Sequence, residues 1–199
     1  MFTGIVEEKG YIEKIERISE NAIQLKITAS IILTDIQIGD SIAVNGICLT
    51  VLSHTKTEFT VDVMPETMKA TSLKEVRLQS PVNLERSMAA NGRFGGHFVT
   101  GHVDYVGEIV DKRQVENAIY YDISVPEMAL KYFIHKGSVA VDGVSLTVFN
   151  IDEKRQTITI SLIPHTASET ILGEKQIGNL VNIECDVLAK LVEKQLVGR

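Results

Sequence analysis

Short runs rich in Val, Ile and Thr, in which apolar and polar positions alternate, set the character of this chain. They fall at residues 22–27, 41–44, 48–53 and 58–63, and again at 120–125, 138–141, 145–150 and 157–162. Alternation with a period of two turns one face of a strand to a core and the other to solvent, and β-branched residues suit that pleated surface. Between the second and third run of each set stands a turn dipeptide, Asn45-Gly46 or Asp142-Gly143. Both central positions of a two-residue hairpin turn favour positive φ, which Asn, Asp and Gly tolerate, so each pair predicts a tight hairpin. The pattern therefore predicts two small antiparallel barrels.

Helical signals are few. Pro126-Glu127 opens a short helix over 128–133, and Pro65 and Pro164 precede similar Thr-rich turns. After Glu184 the period changes: Asp186 can cap a helix on which Leu188, Leu191, Val192 and Leu196 share one face. A helix of about a dozen residues is marginal alone in water, so this stripe needs either its own barrels or copies of itself to pack on.

The strand sets repeat because the chain is duplicated. Ser41-Ile-Ala-Val-Asn-Gly-Ile-Cys-Leu-Thr-Val51 returns 97 positions later as Ser138-Val-Ala-Val-Asp-Gly-Val-Ser-Leu-Thr-Val148. Thr3-Gly4 returns as Thr100-Gly101, Met64-Pro-Glu-Thr67 as Ile163-Pro-His-Thr166, and Val82-Asn-Leu-Glu85 as Val181-Asn-Ile-Glu184, at lags of 97 to 99. A period this long exceeds that of solenoid repeats, so each copy is expected to be a domain with its own core. The connection runs over 86–96 and contains Asn91-Gly92 and Gly95-Gly96. The expected division is 1–90, 91–185, and a C-terminal helix over 186–199.

Composition narrows the partners. Lys plus Arg is 20 against 26 for Asp plus Glu, a formal charge of −6, which disfavours nucleic acid or an anionic membrane as the main partner. No apolar run approaches roughly 18 residues and the start lacks the regions of a signal peptide, so a cytoplasmic location is expected. Cys48 and Cys185 fall at non-equivalent places, implying no disulfide framework. With no Cys-x-x-Cys pair, and with His97 and His102 not at helical spacing, no metal site is expected.

Differences between the copies carry more chemistry than agreements, because both copies answer to one fold. Cys48 aligns with Ser145, and Ile5 aligns with His102. One pocket would then hold a thiol where the other has a hydroxyl, and one an imidazole where the other is aliphatic. Cys48 alone reads equally as a small buried apolar side chain. A lone His is more often structural or on the surface, but His102 stands beside Gly101, where backbone can approach a ligand, and is the default proton carrier if it lines a pocket. His54 and His135 read as solvated, and Lys136 as a rim charge or one reaching a neighbouring pocket.

Met1-Phe-Thr-Gly-Ile-Val6, the pair Val44-Asn-Gly-Ile-Cys-Leu-Thr50 and Val141-Asp-Gly-Val-Ser-Leu-Thr147, Gly95-Gly-His-Phe-Val-Thr-Gly-His102 and Leu162-Ile-Pro-His-Thr166 together resemble the riboflavin synthase family of the α-chain type. The order and twofold recurrence of these strings, nearly end to end, carry the resemblance. It implies two six-stranded antiparallel Greek-key barrels and a C-terminal helix, in a homotrimer assembled around those helices. It also implies dismutation of two 6,7-dimethyl-8-ribityllumazine molecules, with four-carbon transfer, to riboflavin and 5-amino-6-ribitylamino-uracil. No cofactor or metal is implied, since the lumazine's 7-methyl protons are acidic by conjugation. The working site would lie between the first barrel of one subunit and the second barrel of its neighbour.

By the same resemblance, Gly4, Ile5, Val6, Cys48, Leu49, Thr50, Asp62, Val63, Met64, Pro65, Glu66 and Thr67 form the first-barrel pocket. Gly101, His102, Val103, Ser145, Leu146, Thr147, Ile160, Ser161, Leu162, Ile163, Pro164 and His165 form the second. Phe2 and Thr3 would cover the bound ring, and Lys136 would reach the neighbouring site. His102 is implied as the proton carrier, with Ser41 and Cys48 as pocket or nucleophile-positioning groups. Asp186 is a further candidate acid, although capping also explains it. Hydroxyls and backbone groups suit an uncharged ribityl chain better than cations do.

A rival from the binding class is a non-catalytic lumazine or flavin antenna protein on the same fold; Ser41, Cys48, His102 and Ser145 together favour the enzyme. A flavin-dependent oxidoreductase fares worse, because no dinucleotide fingerprint follows any strand. Docking with the lumazine-producing enzyme of the same pathway is left open by a surface with no distinctive charge.

Overall fold

The computed structural model describes residues 1–20 and 22–197. Twelve strands form two closed antiparallel barrels of six. The first comprises β1 (Glu8–Ser19), β2 (Ala22–Thr28), β3 (Ser41–Val44), β4 (Ile47–His54), β5 (Glu58–Val63) and β6 (Pro81–Arg86), in the closed order β1-β2-β5-β4-β3-β6. The second comprises β7 (Tyr105–Val115), β8 (Ala118–Ser124), β9 (Ser138–Val141), β10 (Val144–Asp152), β11 (Thr157–Leu162) and β12 (Leu180–Cys185), joined in the equivalent order. Each closes because its last strand pairs with both its first and its third, so neither barrel leaves a sheet edge open.

The hairpins form as their dipeptides predict. Asn45 and Gly46 adopt φ of 48° and 77°, Asp142 and Gly143 of 45° and 78°, and the flanking strands pair directly. Period-two patterning fills each barrel with one set of side chains, among them Leu25, Ile27, Phe59 and Val61 in the first and Tyr121, Ile123, Ile158 and Ile160 in the second. The helices are short. Pro65 opens α1 (Pro65–Ala70) and Pro164 opens α2 (Pro164–Glu169), while the run expected at 128–133 is a 3-10 helix over Glu127–Tyr132. Asp186 caps α3 (Val187–Val197), accepting a hydrogen bond from Leu188 N at 2.9 Å. Of the expected segment 186–199, residues 198 and 199 lie outside the described residues. No helix among the described residues is long and apolar enough to cross a membrane.

A pseudo-twofold axis runs between the barrels, and buried amides tie it. Asn83 Nδ2 donates to the Asp142 carbonyl at 2.9 Å, and its Oδ1 accepts from Ile171 N at 2.8 Å. Asn182 repeats both bonds in reverse, to the Asn45 carbonyl at 2.9 Å and from Ser72 N at 2.7 Å. At the axis the hairpin glycines touch: a Cβ on Gly46 would stand 2.7 Å from Gly143 N, and one on Gly143 2.7 Å from Gly46 N. Here glycine is required both by positive φ and by close approach.

Candidate functional site

The terminal segment and the segment between the barrels behave as two straps that exchange partners. Phe2 and Val99 pair as an isolated antiparallel bridge, Phe2 N donating to Val99 O at 2.8 Å. Beyond this crossing each strap runs onto the other barrel. Ser145 N on β10 donates to the Gly4 carbonyl at 2.7 Å, and Cys48 N on β4 donates to the Gly101 carbonyl at 2.9 Å. Val6 packs on the second core and Val103 on the first. Both glycines have positive φ, 79° and 82°, and a Cβ on either would stand 2.6 or 2.5 Å from the Cβ of Ser145 or Cys48. Only glycine lets the strap backbone lie this close to the strand.

The first-barrel pocket is a cavity of ≈ 620 Å³ bounded by β4, the end of β5, α1 and the inter-barrel strap. It brings together Cys48, Leu49, Thr50, Asp62, Met64, Glu66 and Thr67 with Gly101, His102 and Val103. His102 and Thr50 are exposed and Cys48 is half-buried, so an imidazole, a hydroxyl and a thiol face one space. This corrects the assignment of Gly101, His102 and Val103 to the second pocket, and of Gly4 and Val6 to the first, while Ile5 lines a cavity beside β3 with Ser41 and Ile42. The lag aligns the copies in register, but the straps cross at Phe2 and Val99, which interchanges them.

Other expectations are corrected by strand alternation. Val63, Ile160 and Leu162 point into the barrels at 0–1% exposure, while their neighbours Asp62, Met64 and Ile163 face outward and Ser161 is half-buried. Phe2 does not cover a pocket: it is fully buried with Ala43, Val99 and Ala140 between the barrels. Thr3 is buried too, its hydroxyl donating to Glu85 at 3.1 Å. Ser41 is the ladder partner of Thr50 but lines an adjacent cavity of ≈ 320 Å³, together with Glu7, Arg86 and Arg93. There Arg86 is engaged by Glu7 and Asp35. Pro65 opens α1 half-buried beside the first pocket.

The second barrel repeats the arrangement with other chemistry. Ser145 and Leu146 are half-buried and Thr147 is exposed on β10, while Ile163, Pro164 and His165 are exposed where β11 gives way to α2. Ser145 Oγ lies 2.7 Å from His97 Nδ1. His97 is buried, its Nε2 has no hydrogen-bond partner among the described residues, and burial pushes its pKa below the ordinary value against the opposing pull of Asp186 and Glu184. His97 has no counterpart in the first copy, so a comparison of the copies does not single it out. The Gly95-Gly-His97 string was the available signal. A Cβ on Gly96 would stand 2.1 Å from the Thr3 carbonyl, so the segment leading to His97 is pressed against the other strap.

Lys136 does not line the first pocket of its own chain. It is exposed in the turn before β9 with φ of 64°, where the first copy has Gly39 at 95°. His54 and His135 are exposed. Cys185 is fully buried and its thiol is pushed up to about 12, chiefly by burial, so it is inert beside Cys48.

Comparison with known proteins agrees with this architecture. The lumazine binding domain family matches twice, over residues 3–87 and 100–186, nearly the span of the two barrels with their straps. Riboflavin synthase of Bacillus subtilis (strain 168) is 58% identical over 196 residues, covering 98% of this chain and 90% of that protein. Riboflavin synthase of Actinobacillus pleuropneumoniae is 50% identical over 197 residues, covering 99% and 90%. Among solved structures, LumP complexed with 6,7-dimethyl-8-(1'-D-ribityl) lumazine superposes with a TM-score of 0.82 at 25% identity, covering 93% of this chain and 99% of that one. LumP complexed with riboflavin gives 0.84 at 26% over the same shares. With two lumazine binding domains on exchanged straps, and with these relatives matching almost end to end, the chain belongs to the riboflavin synthase family.

Proposed function

We propose that this protein is a riboflavin synthase: it converts two molecules of 6,7-dimethyl-8-ribityllumazine into riboflavin and 5-amino-6-(D-ribitylamino)uracil by transfer of a four-carbon unit. The observation that carries the reading is the first-barrel pocket together with the pseudo-equivalent face of the second barrel, which carries unlike chemistry. Two identical substrates need two similar sites, but donor and acceptor need different groups. A thiol and the exposed imidazole of His102 face one pocket, and a hydroxyl held by a buried imidazole faces the other. Loss of a 7-methyl proton from one lumazine gives a nucleophilic exomethylene anion, while water or a hydroxyl adding at carbon 7 of the other leaves its carbon 6–nitrogen 5 double bond as the electrophile. The new carbon–carbon bond forms at carbon 6 as the electron pair moves to nitrogen 5, which takes up a proton. His102 is placed to carry the methyl proton, with Cys48 as its neighbour in the pocket. Alignment of the two rings contributes most, with barrier reductions of about 7–11 kcal/mol for well-oriented partners, against about 10²- to 10⁴-fold for proton transfer. The reaction calls for no cofactor.

The two pockets of one chain are built on opposite barrels, so the reacting pair is assigned to the first barrel of one subunit and the second barrel of its neighbour in a homotrimer. Lys136, outside the first pocket of its own chain, would then reach the neighbour's. The chain is placed in the cytoplasm, in keeping with its charge of −6 and its two free cysteines. Association with the enzyme that supplies the lumazine belongs to the same reading and is tested by co-sedimentation of the two purified proteins.

The deciding experiment mixes the purified protein with 6,7-dimethyl-8-ribityllumazine alone and follows products by absorbance and chromatography. One riboflavin per two lumazines consumed is expected. The likeness to LumP complexes gives an antenna protein as the second reading; stoichiometric binding without turnover by a confirmed trimer would favour it and set aside the synthase.

A further inference from the structure

Each strap is held by one buried carboxylate, and that carboxylate belongs to the barrel the strap does not serve. Glu184 on β12 is 3% exposed. Its Oε1 accepts from Thr100 N and Thr100 Oγ1, both at 2.6 Å, and its Oε2 accepts from Gly101 N at 2.9 Å and His102 N at 3.1 Å. The strap so fixed lines the first-barrel pocket, where the Gly101 carbonyl accepts from Cys48 N. Glu85 on β6 mirrors it at 6% exposure: Oε1 accepts from Thr3 N at 2.7 Å and Thr3 Oγ1 at 3.1 Å, and Oε2 from Gly4 N at 3.1 Å. This second strap lies on Ser145.

A carboxylate is the one side chain able to accept from several converging donors with both oxygens, and charge makes such bonds roughly twice as strong as neutral ones. Each strap is thus suspended between a strand of one barrel, through a single backbone bond, and a carboxylate of the other, through three or four bonds. The stronger anchor lies on the far side.

We propose that Glu184 is the positioning residue of the first-barrel pocket and Glu85 that of the second, so that each barrel sets the geometry of the other's pocket. The inference rests on the reading of these surfaces as the ligand pockets, but its test needs no ligand, so failure here and failure of the synthase reading are separate results.

The measurement is the rate of thiol alkylation in the trimeric or full-length protein without substrate, mapped by mass spectrometry. Cys48 reports the first pocket, and buried Cys185 leaves the background quiet. In Glu184→Gln the amide keeps the volume but turns a donor toward N–H donors. This variant should raise the Cys48 rate at least about tenfold, whereas Glu85→Gln should change it less than about twofold. In the Cys48→Ser/Ser145→Cys background the pattern should invert, with Glu85→Gln opening the second pocket and Glu184→Gln leaving it unchanged. If a Gln variant does not fold, Thr100→Val and Thr3→Val remove one hydroxyl bond each, and the same crossed pattern is expected at about threefold. Both thiols responding to both variants, each responding to the carboxylate of its own barrel, or neither responding would overturn the proposal. A purely structural role would lower the melting temperature in both variants without this selectivity.

Discussion

His97 sits against the Ser145 hydroxyl at 2.7 Å with its other ring nitrogen buried, so the fold favours the neutral imidazole. Burial lowers its pKa from the ordinary 6.5, with Asp186 and Glu184 opposing. The unfolded chain therefore binds a proton at a pH where the folded chain does not. The stability held by neutral His97 is fully present above about 6.5 and is lost as pH falls through the folded value. His97→Asn keeps a hydrogen-bonding group near Ser145 and does not titrate, so the stability difference between wild type and variant should shrink on going from pH 7.5 to 5.5. Urea melts at both values check this, and a constant difference would show that His97 is not held neutral. Lys136 is strained differently. A non-glycine residue at φ 64° costs about 1–2 kcal/mol, and glycine returns about 0.5–1 kcal/mol of that to unfolded-chain entropy. Lys136→Gly should then melt within a few degrees of wild type, while turnover falls because the ammonium is gone. Unchanged turnover would return Lys136 to the status of a rim charge.

At the scale of elements, the hairpins and the strands around them are legible because their signals are local: period two, β-branched residues and a turn dipeptide. The first strand of each barrel is less so. β1 alternates only over its first residues and then runs exposed through Lys14, Glu16 and Arg17, and its pairing with β2 is interrupted by bulges between Ile12 and Lys14 and between Arg17 and Ser19. The straps were not legible at all, because aligning the copies reveals which residues correspond and not which barrel they touch. The asparagines Asn83 and Asn182 repeat in the sequence, but their role appears only where the barrels meet. Asn83→Ala strands the Asp142 carbonyl and Ile171 N, at about 1–3 kcal/mol for each buried group left unpaired. The double variant with Asn182→Ala should cost less than the sum of the two, because one loss already loosens the joint that the other secures. Chemical denaturation of the four proteins reads this coupling, and strict additivity would mean the two amides act independently.

At the scale of the whole molecule, α3 presents an exposed apolar face. Leu188, Leu191 and Leu196 are 53%, 54% and 68% exposed, and Ile134 nearby is 68% exposed. Leu188, Leu196 and Ile134 line a cavity of ≈ 660 Å³ with Tyr132 and Val192. Two ion pairs tie the helix to its own barrel, Lys190 with Asp104 at 2.8 Å and Lys131 with Glu193, while Val187 and Ala189 are half-buried. Surface pairs of this kind are worth about 0–1 kcal/mol, and an isolated helix of 11 residues is marginal, so the proposed trimer would give this apolar face the partner it needs. The sequence showed this stripe but left open whether it meets the barrels or its own copies, since periodicity reveals a face and not its partner. Substituting Leu191→Ser and Leu196→Ser together should shift the species in sedimentation from a trimer near 3 × 22.0 = 66 kDa toward the 22.0 kDa monomer. Lumazine binding should persist in the double variant, because each pocket is closed by straps of its own chain. Riboflavin formation should fall by at least about tenfold, because loss of the facing pocket removes the alignment on which the reaction depends. A monomer that keeps full turnover would place both reacting lumazines within one chain and sink the assignment of the site to the interface between subunits.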